Sequence, residues 1–200
     1  MVHSGHRFLG IRQPFSRGCI RGIVGFDLAG NEADFPAAPF TSLLREVKAS
    51  GLKLSVHAGE WGGAANVREA IEVFRTDRVG HGVRVMEDPA VVALAREHKT
   101  PFEVCVTSNY QSGVVPSLAA HPLTKMIEAG LYVTLNTDDP SISQIMLSDE
   151  YRMAVESLHL TQADLAERVL AAAQAAFLPA QEKRTLISRI RDRLPRELDK

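Results

Sequence analysis

Thr134-Leu135-Asn136-Thr137-Asp138-Asp139-Pro140 ends a short apolar run, Leu131–Asn136, on two adjacent carboxylates. Upstream, the run beginning at Leu52 ends in His57-Ala58-Gly59-Glu60. In both places a side chain able to ligate a metal closes a short apolar run, and a second ionisable group follows at once. One group can hold a cation while its neighbour moves a proton or grips a substrate, the division of labour in metal-assisted hydrolysis. By themselves the two segments supply only half of a closed zinc shell.

Working outward from these segments, similar runs stand at Ile23–Leu28, Arg78–Gly82 and Phe102–Val106. Their composition favours strands, and the starts fall roughly 25 to 30 residues apart, about the length of a βαβ unit. Helical periodicity fills the gaps at Phe40–Ser50, Val67–Phe74, Ala90–His98 and Pro122–Ala129. Gly51 and Gly130 act as stops, and Asp88-Pro89 supplies an N-cap with proline at the first helical position. After the last strand come only helices, at Asp149–Leu158, Thr161–Ala176 and Glu182–Arg193, with Thr161 and Asp164 forming a capping pair.

Alternating buried strands and helices predict a parallel sheet covered by helices, with chemistry at the carboxyl ends of the strands. A complete eight-stranded barrel takes about 250 residues. The expectation is therefore an α/β fold: a partial TIM-type (β/α) barrel covering about the last five strands, with extra C-terminal helices. Residues 1–21 read as an irregular lead-in and 22–200 as the barrel portion. An open arc leaves unpaired sheet edges, through which another chain could pair and the protein oligomerise.

With 200 residues and 45% hydrophobic content, the chain can bury a core as one domain. Its 23 basic and 24 acidic residues nearly cancel, and no basic stripe appears, which argues against nucleic acid or a membrane surface as partner. No hydrophobic run follows Met1 as a secretory signal would require. Cys19 and Cys105 stand far apart without a Cys-x-x-Cys spacing, which fits thiols in a reducing cytoplasm.

Each candidate residue has a plainer reading beside the functional one. His57 suits zinc, with Glu60 as proton shuttle; the alternative is a satisfied strand-end histidine and a loop glutamate. In Gly80-His81-Gly82 the flanking glycines leave the imidazole unobstructed, and its place one strand after His57 favours function. Asp138 and Asp139 repel unless a cation or donor neutralises one; the alternative is a turn or cap before Pro140. Gly30 could bring a backbone N–H to a ligand or be an ordinary turn glycine, and Asp27 reads as an interior structural acid. Thr107-Ser108-Asn109 reads as the end of the Phe102 strand and offers polar groups to the site, the plainer alternative being loop closure. His98, His121 and His159 take the plain reading, as do His3 and His6. Trp61 could line a pocket or simply pack.

Together, Val24-Gly-Phe-Asp-Leu-Ala-Gly-Asn-Glu32, His57-Ala-Gly-Glu60, Arg78-Val-Gly-His-Gly82, Cys105-Val-Thr-Ser-Asn109, His121-Pro-Leu and Asn136-Thr-Asp-Asp-Pro140 resemble the adenosine deaminase family, in family order. Ser148-Asp-Glu-Tyr151 continues the likeness. The resemblance implies a TIM-type barrel with one catalytic Zn2+ and hydrolytic removal of the amino group from C6 of a purine. Position by position, it matches His57 and Asp138 with zinc ligands and Glu60 with the acid that protonates purine N1. His81 matches the residue that orients or deprotonates the zinc-bound water, and Gly30 and Asp139 match groups that bind the base. Adenosine or deoxyadenosine is the implied small-molecule partner, with aminodeoxyfutalosine, adenine, or an inactive family remnant acting as a binding module as alternatives. The family's first-strand His-x-His pair has no counterpart here, so the chain reads as N-terminally truncated.

Overall fold

The structure, a computed structural model, describes residues 22–194. The lead-in, with His3, His6 and Cys19, lies outside the described residues. Five strands form one sheet in the order β1-β2-β3-β4-β5, every neighbouring pair parallel. They are β1 (Gly25–Leu28), β2 (Lys53–Ala58), β3 (Arg78–His81), β4 (Pro101–Val104) and β5 (Tyr132–Leu135). The helices between them are α1 (Thr41–Ala49), α2 (Ala64–Glu72), α3 (Pro89–His98), α4 (Val106–Gln111) and α5 (Leu123–Glu128). Beyond β5 come the single turn α6 (Pro140–Ser143), then α7 (Leu147–Glu156), α8 (Gln162–Ala175) and α9 (Ala180–Arg191). The expected α/β half-barrel with C-terminal helices is the architecture found.

Strand alternation sorts the side chains. Leu54, Val56, Val79, Phe102, Val104, Val133 and Leu135 point outward and are buried against helix residues such as Leu44, Val47, Val67, Ile71, Val91 and Met126. The opposite, inner face is polar. Ser55 Oγ donates to Glu103 Oε2 at 2.7 Å, and Arg78 Nε pairs with Glu103 Oε1 at 3.1 Å as an ion pair rather than an aligned hydrogen bond. The Phe177 ring, just past α8, lies 3.7 Å from the Arg78 guanidinium carbon and closes this floor by a cation–π contact.

The helix boundaries have local causes. Asp88 accepts from the Ala90 N–H at 2.8 Å with Pro89 at the first position, so α3 starts where the sequence signals it. Thr161 and Asp164 form the expected reciprocal box at α8. Asp77, in the turn before β3, accepts from Lys48, Lys53 and the Leu54 N–H, tying α1 and β2 together. Among the described residues no helix is long and apolar enough to cross a membrane.

One expectation needs correction. Thr107-Ser108-Asn109 do not end a strand: β4 stops at Val104, and these residues lie in α4. The cause is Glu150, fully buried on α7, whose two oxygens accept the Val106 and Thr107 N–H groups at 3.0 Å each. Those donors have no partner within the helix, so the carboxylate starts a helix where the apolar run alone suggests more strand. Asp27 stands on the inner face as expected, its side chain 53% exposed on the edge strand.

Candidate active site

The parallel register sets four side chains side by side at the carboxyl ends of the strands. His57 pairs in register with Gly80 on β3, and a Cβ at position 80 would collide with the His57 ring. Glycine at 80 is therefore the space the imidazole occupies. His57 Nε2 stands 3.8 Å from Asp27 Oδ2.

Past His57, the chain turns at Gly59, whose φ of 71° is left-handed. Glu32 Oε1 accepts from Glu60 N–H at 2.7 Å and Gly62 N–H at 3.0 Å, which fixes the turn and drives the Glu60 side chain inward. Glu60 is 7% exposed. Burial foremost, then the negative charges of Glu32 and Asp138, push its carboxyl from 4.5 up to about 7.

His81 ends β3 with a left-handed φ of 58°, and Gly82 continues the turn at 65°. A side chain at position 82 would strike the Phe102 ring, so this turn requires glycine on steric as well as backbone grounds. The turn carries His81 Nε2 to 3.5 Å from Glu60 Oε2 and 4.0 Å from Asp138 Oδ2. The His57 and His81 rings meet edge to face, centroids 4.8 Å apart. Burial, then the nearby His57, hold the His81 pKa below the usual histidine range. At neutral pH the Glu60–His81 contact is thus not a full ion pair. Asp138 is also left-handed, with φ 57°, and its Oδ2 accepts from Ser108 Oγ at 2.7 Å. Left-handed backbone at two non-glycine residues in one site is local strain of about 1 kcal/mol or more each.

The structure therefore brings together His57, Glu60, His81 and Asp138. Asp139 is exposed before α6 and Gly30 sits in an open turn; no hydrogen bond or ion pair joins either to the cluster. Ser108 and Asn109 offer their polar groups to the site as expected, to Asp138 and His81, whereas Glu32's grip on the Glu60 turn and the buried His121 behind Asn109 were missed by sequence reasoning. Glu32 lies inside a quoted motif, and Pro122 after His121 was a turn signal, but neither signal names a partner.

Donor atoms of His57, Glu60 and His81 lie within 4.8 Å of one another, and Asp138 Oδ2 stands 4.0 Å from His81 Nε2. Imidazoles with carboxylates are the donor set a borderline divalent ion accepts. The residues present fit such an ion.

Imidazoles and carboxylates gathered at the carboxyl ends of adjacent parallel strands stand where TIM-type barrels keep their active sites, the arrangement of the TIM-barrel amidohydrolase class. The solved structures agree. Adenine deaminase from Arthrobacter aurescens superposes with a TM-score of 0.81 at 31% identity, over 84% of this chain and 52% of that one. An amidohydrolase from Burkholderia ambifaria with bound zinc gives 0.79 at 26%, over 88% and 51%. The chain belongs to the adenosine deaminase family, whose profile, described as adenosine deaminase, matches residues 15–193. Adenosine deaminase from Serratia proteamaculans is 39% identical over 170 residues, which is 85% of this chain and 51% of that relative. The chain thus spans about half the length of the curated relatives it matches.

Proposed function

We propose that this chain carries the deaminating half-site of a 6-aminopurine deaminase, acting on adenosine or deoxyadenosine. The observation that carries the reading is Glu60: a buried carboxyl raised to about 7, its Oε2 3.5 Å from His81 Nε2. Replacing the C6 amino group needs a proton on the purine ring nitrogen N1, so that C6 accepts a water oxygen. A carboxylic acid that keeps its proton near neutrality can supply it. The C6–N bond then breaks and the amino group leaves as ammonia, giving the 6-oxo purine. His57 and Asp138 would hold a zinc ion, whose chemistry is to acidify a coordinated water. Ser108 aims Asp138, His81 faces the attacking oxygen, and Asp139 and Gly30 bind the base.

The test is ammonia release by the purified chain, with zinc supplied, from adenosine, deoxyadenosine and adenine. Faster release from the nucleosides supports the reading. Release from adenine alone favours the base, a second reading supported by the likeness to an adenine deaminase. Stoichiometric zinc with no release from any purine rejects deamination by this chain and leaves a family-derived binding module.

A further inference from the structure

His81 is held from behind by a chain of hydrogen bonds whose direction can be read from one end. The Leu123 N–H, at the first position of α5, donates to His121 Nδ1 at 3.1 Å. A backbone amide can only donate, so His121 Nδ1 carries no proton. His121 is 5% exposed, and burial lowers its pKa to about 4, leaving a neutral ring whose single proton sits on Nε2. That Nε2 lies 3.3 Å from Asn109 Oδ1 and donates to it. With the amide oxygen thus assigned, Asn109 Nδ2 faces His81 Nδ1 at 3.1 Å and donates in turn. His81 Nδ1 is an acceptor.

A second observation agrees from the other side of the ring. His81 Nε2 faces two carboxylate oxygens, Glu60 Oε2 and Asp138 Oδ2. An N–H there is complementary to the Asp138 carboxylate, where a bare nitrogen would set lone pair against lone pair, while Glu60, which keeps its proton up to about 7, can meet either form. Asn109 is fully buried and His81 is 2% exposed, so water cannot replace either partner cheaply.

We propose that Asn109 and His121 are positioning residues that lock His81 in the tautomer protonated on Nε2, making it a hydrogen-bond donor to the reacting oxygen rather than the base that deprotonates it. The meaning of this tautomer for catalysis rests on the deaminase reading above.

The experiment is imidazole 15N NMR of the metal-free full chain, with His81→Gln and His121→Gln used only to assign signals. The expected result is bare Nδ1 and protonated Nε2 on both rings. Asn109→Asp keeps the shape but puts an acceptor opposite His81 Nδ1. It is expected to draw the proton to Nδ1 and, if the chain turns over, to lower kcat at least about tenfold with little change in KM. His121→Phe, which frees the Asn109 amide to turn over, is expected to give a mixture of His81 tautomers. A wild-type His81 protonated on Nδ1 overturns the proposal, as does an unchanged tautomer in whichever of the two variants folds. Absent turnover with the Nε2–H tautomer present counts against the deaminase reading and leaves the relay standing.

Discussion

Ser108 Oγ donates to Asp138 Oδ2 across 2.7 Å, so helix α4 fixes the carboxylate that follows β5. Without that hydroxyl, Asp138 is free to turn on a left-handed backbone. Ser108→Ala is expected to lower zinc affinity about 10- to 100-fold, measured by competition with a chromophoric chelator. Ser108 is not part of the apolar core, so the unfolding free energy should change by less than about 0.5 kcal/mol.

Glu60 reports its burial through pH. Its folded pKa of about 7 lies above the unfolded 4.5, so the folded chain keeps this proton to higher pH. Stability from this group is full below 4.5, falls as pH rises toward 7 and stays lost above. In metal-free protein, Glu60→Gln is expected to stabilise the fold at pH 8 by on the order of 3 kcal/mol and to have little effect at pH 4. Denaturant titration at the two pH values decides it. The same variant should lower turnover at least 100-fold if Glu60 is the proton donor.

Gly80 tests the packing beneath His57. Alanine there meets the imidazole, although nothing in the backbone forbids it. Gly80→Ala is expected to fold, with unchanged far-ultraviolet circular dichroism, yet to lose zinc binding because His57 is displaced. Unchanged zinc stoichiometry would exclude His57 as a ligand held by this contact.

Glu150 tests the support under α4. Glu150→Ala leaves the Val106 and Thr107 N–H groups without their acceptor in a buried place. The expected loss is about 2–4 kcal/mol in urea unfolding, with Glu150→Gln costing less because one acceptor oxygen survives.

Asp77 tests acid stability. Its pKa stays below the usual range despite a burial effect that opposes it, because Lys48, Lys53 and the Leu54 N–H favour the carboxylate. A depressed folded pKa gives stability that is present above the unfolded value of 3.8 and lost as pH falls through the folded one. Asp77→Asn should therefore destabilise the chain at pH 7 and narrow its gap to wild type at pH 3.

The elements legible in the sequence are those with local causes. Apolar runs at βαβ spacing mark all five strands to within a few residues, and Asp88-Pro89 and Thr161 with Asp164 mark helix starts through contacts inside one turn. The misread segment, Thr107–Asn109, is helical because of Glu150, a partner more than forty residues downstream. The same holds at the site. His57, Glu60, His81 and Asp138 stood out because each ends an apolar run beside glycine or a second acid. Ser108 and Asn109 were marked by their place after the Phe102 run as polar groups for the site, but their partners, and the part of His121, come from other elements and appear only when the sheet register brings them together.

His81 and Asp138 hold conformations that glycine or asparagine would adopt with less effort. Selection of random variants for heat resistance alone, blind to chemistry, should therefore enrich replacements at positions 81 and 138. Such a selection would outline the reactive cleft by where it tempts the chain to relax.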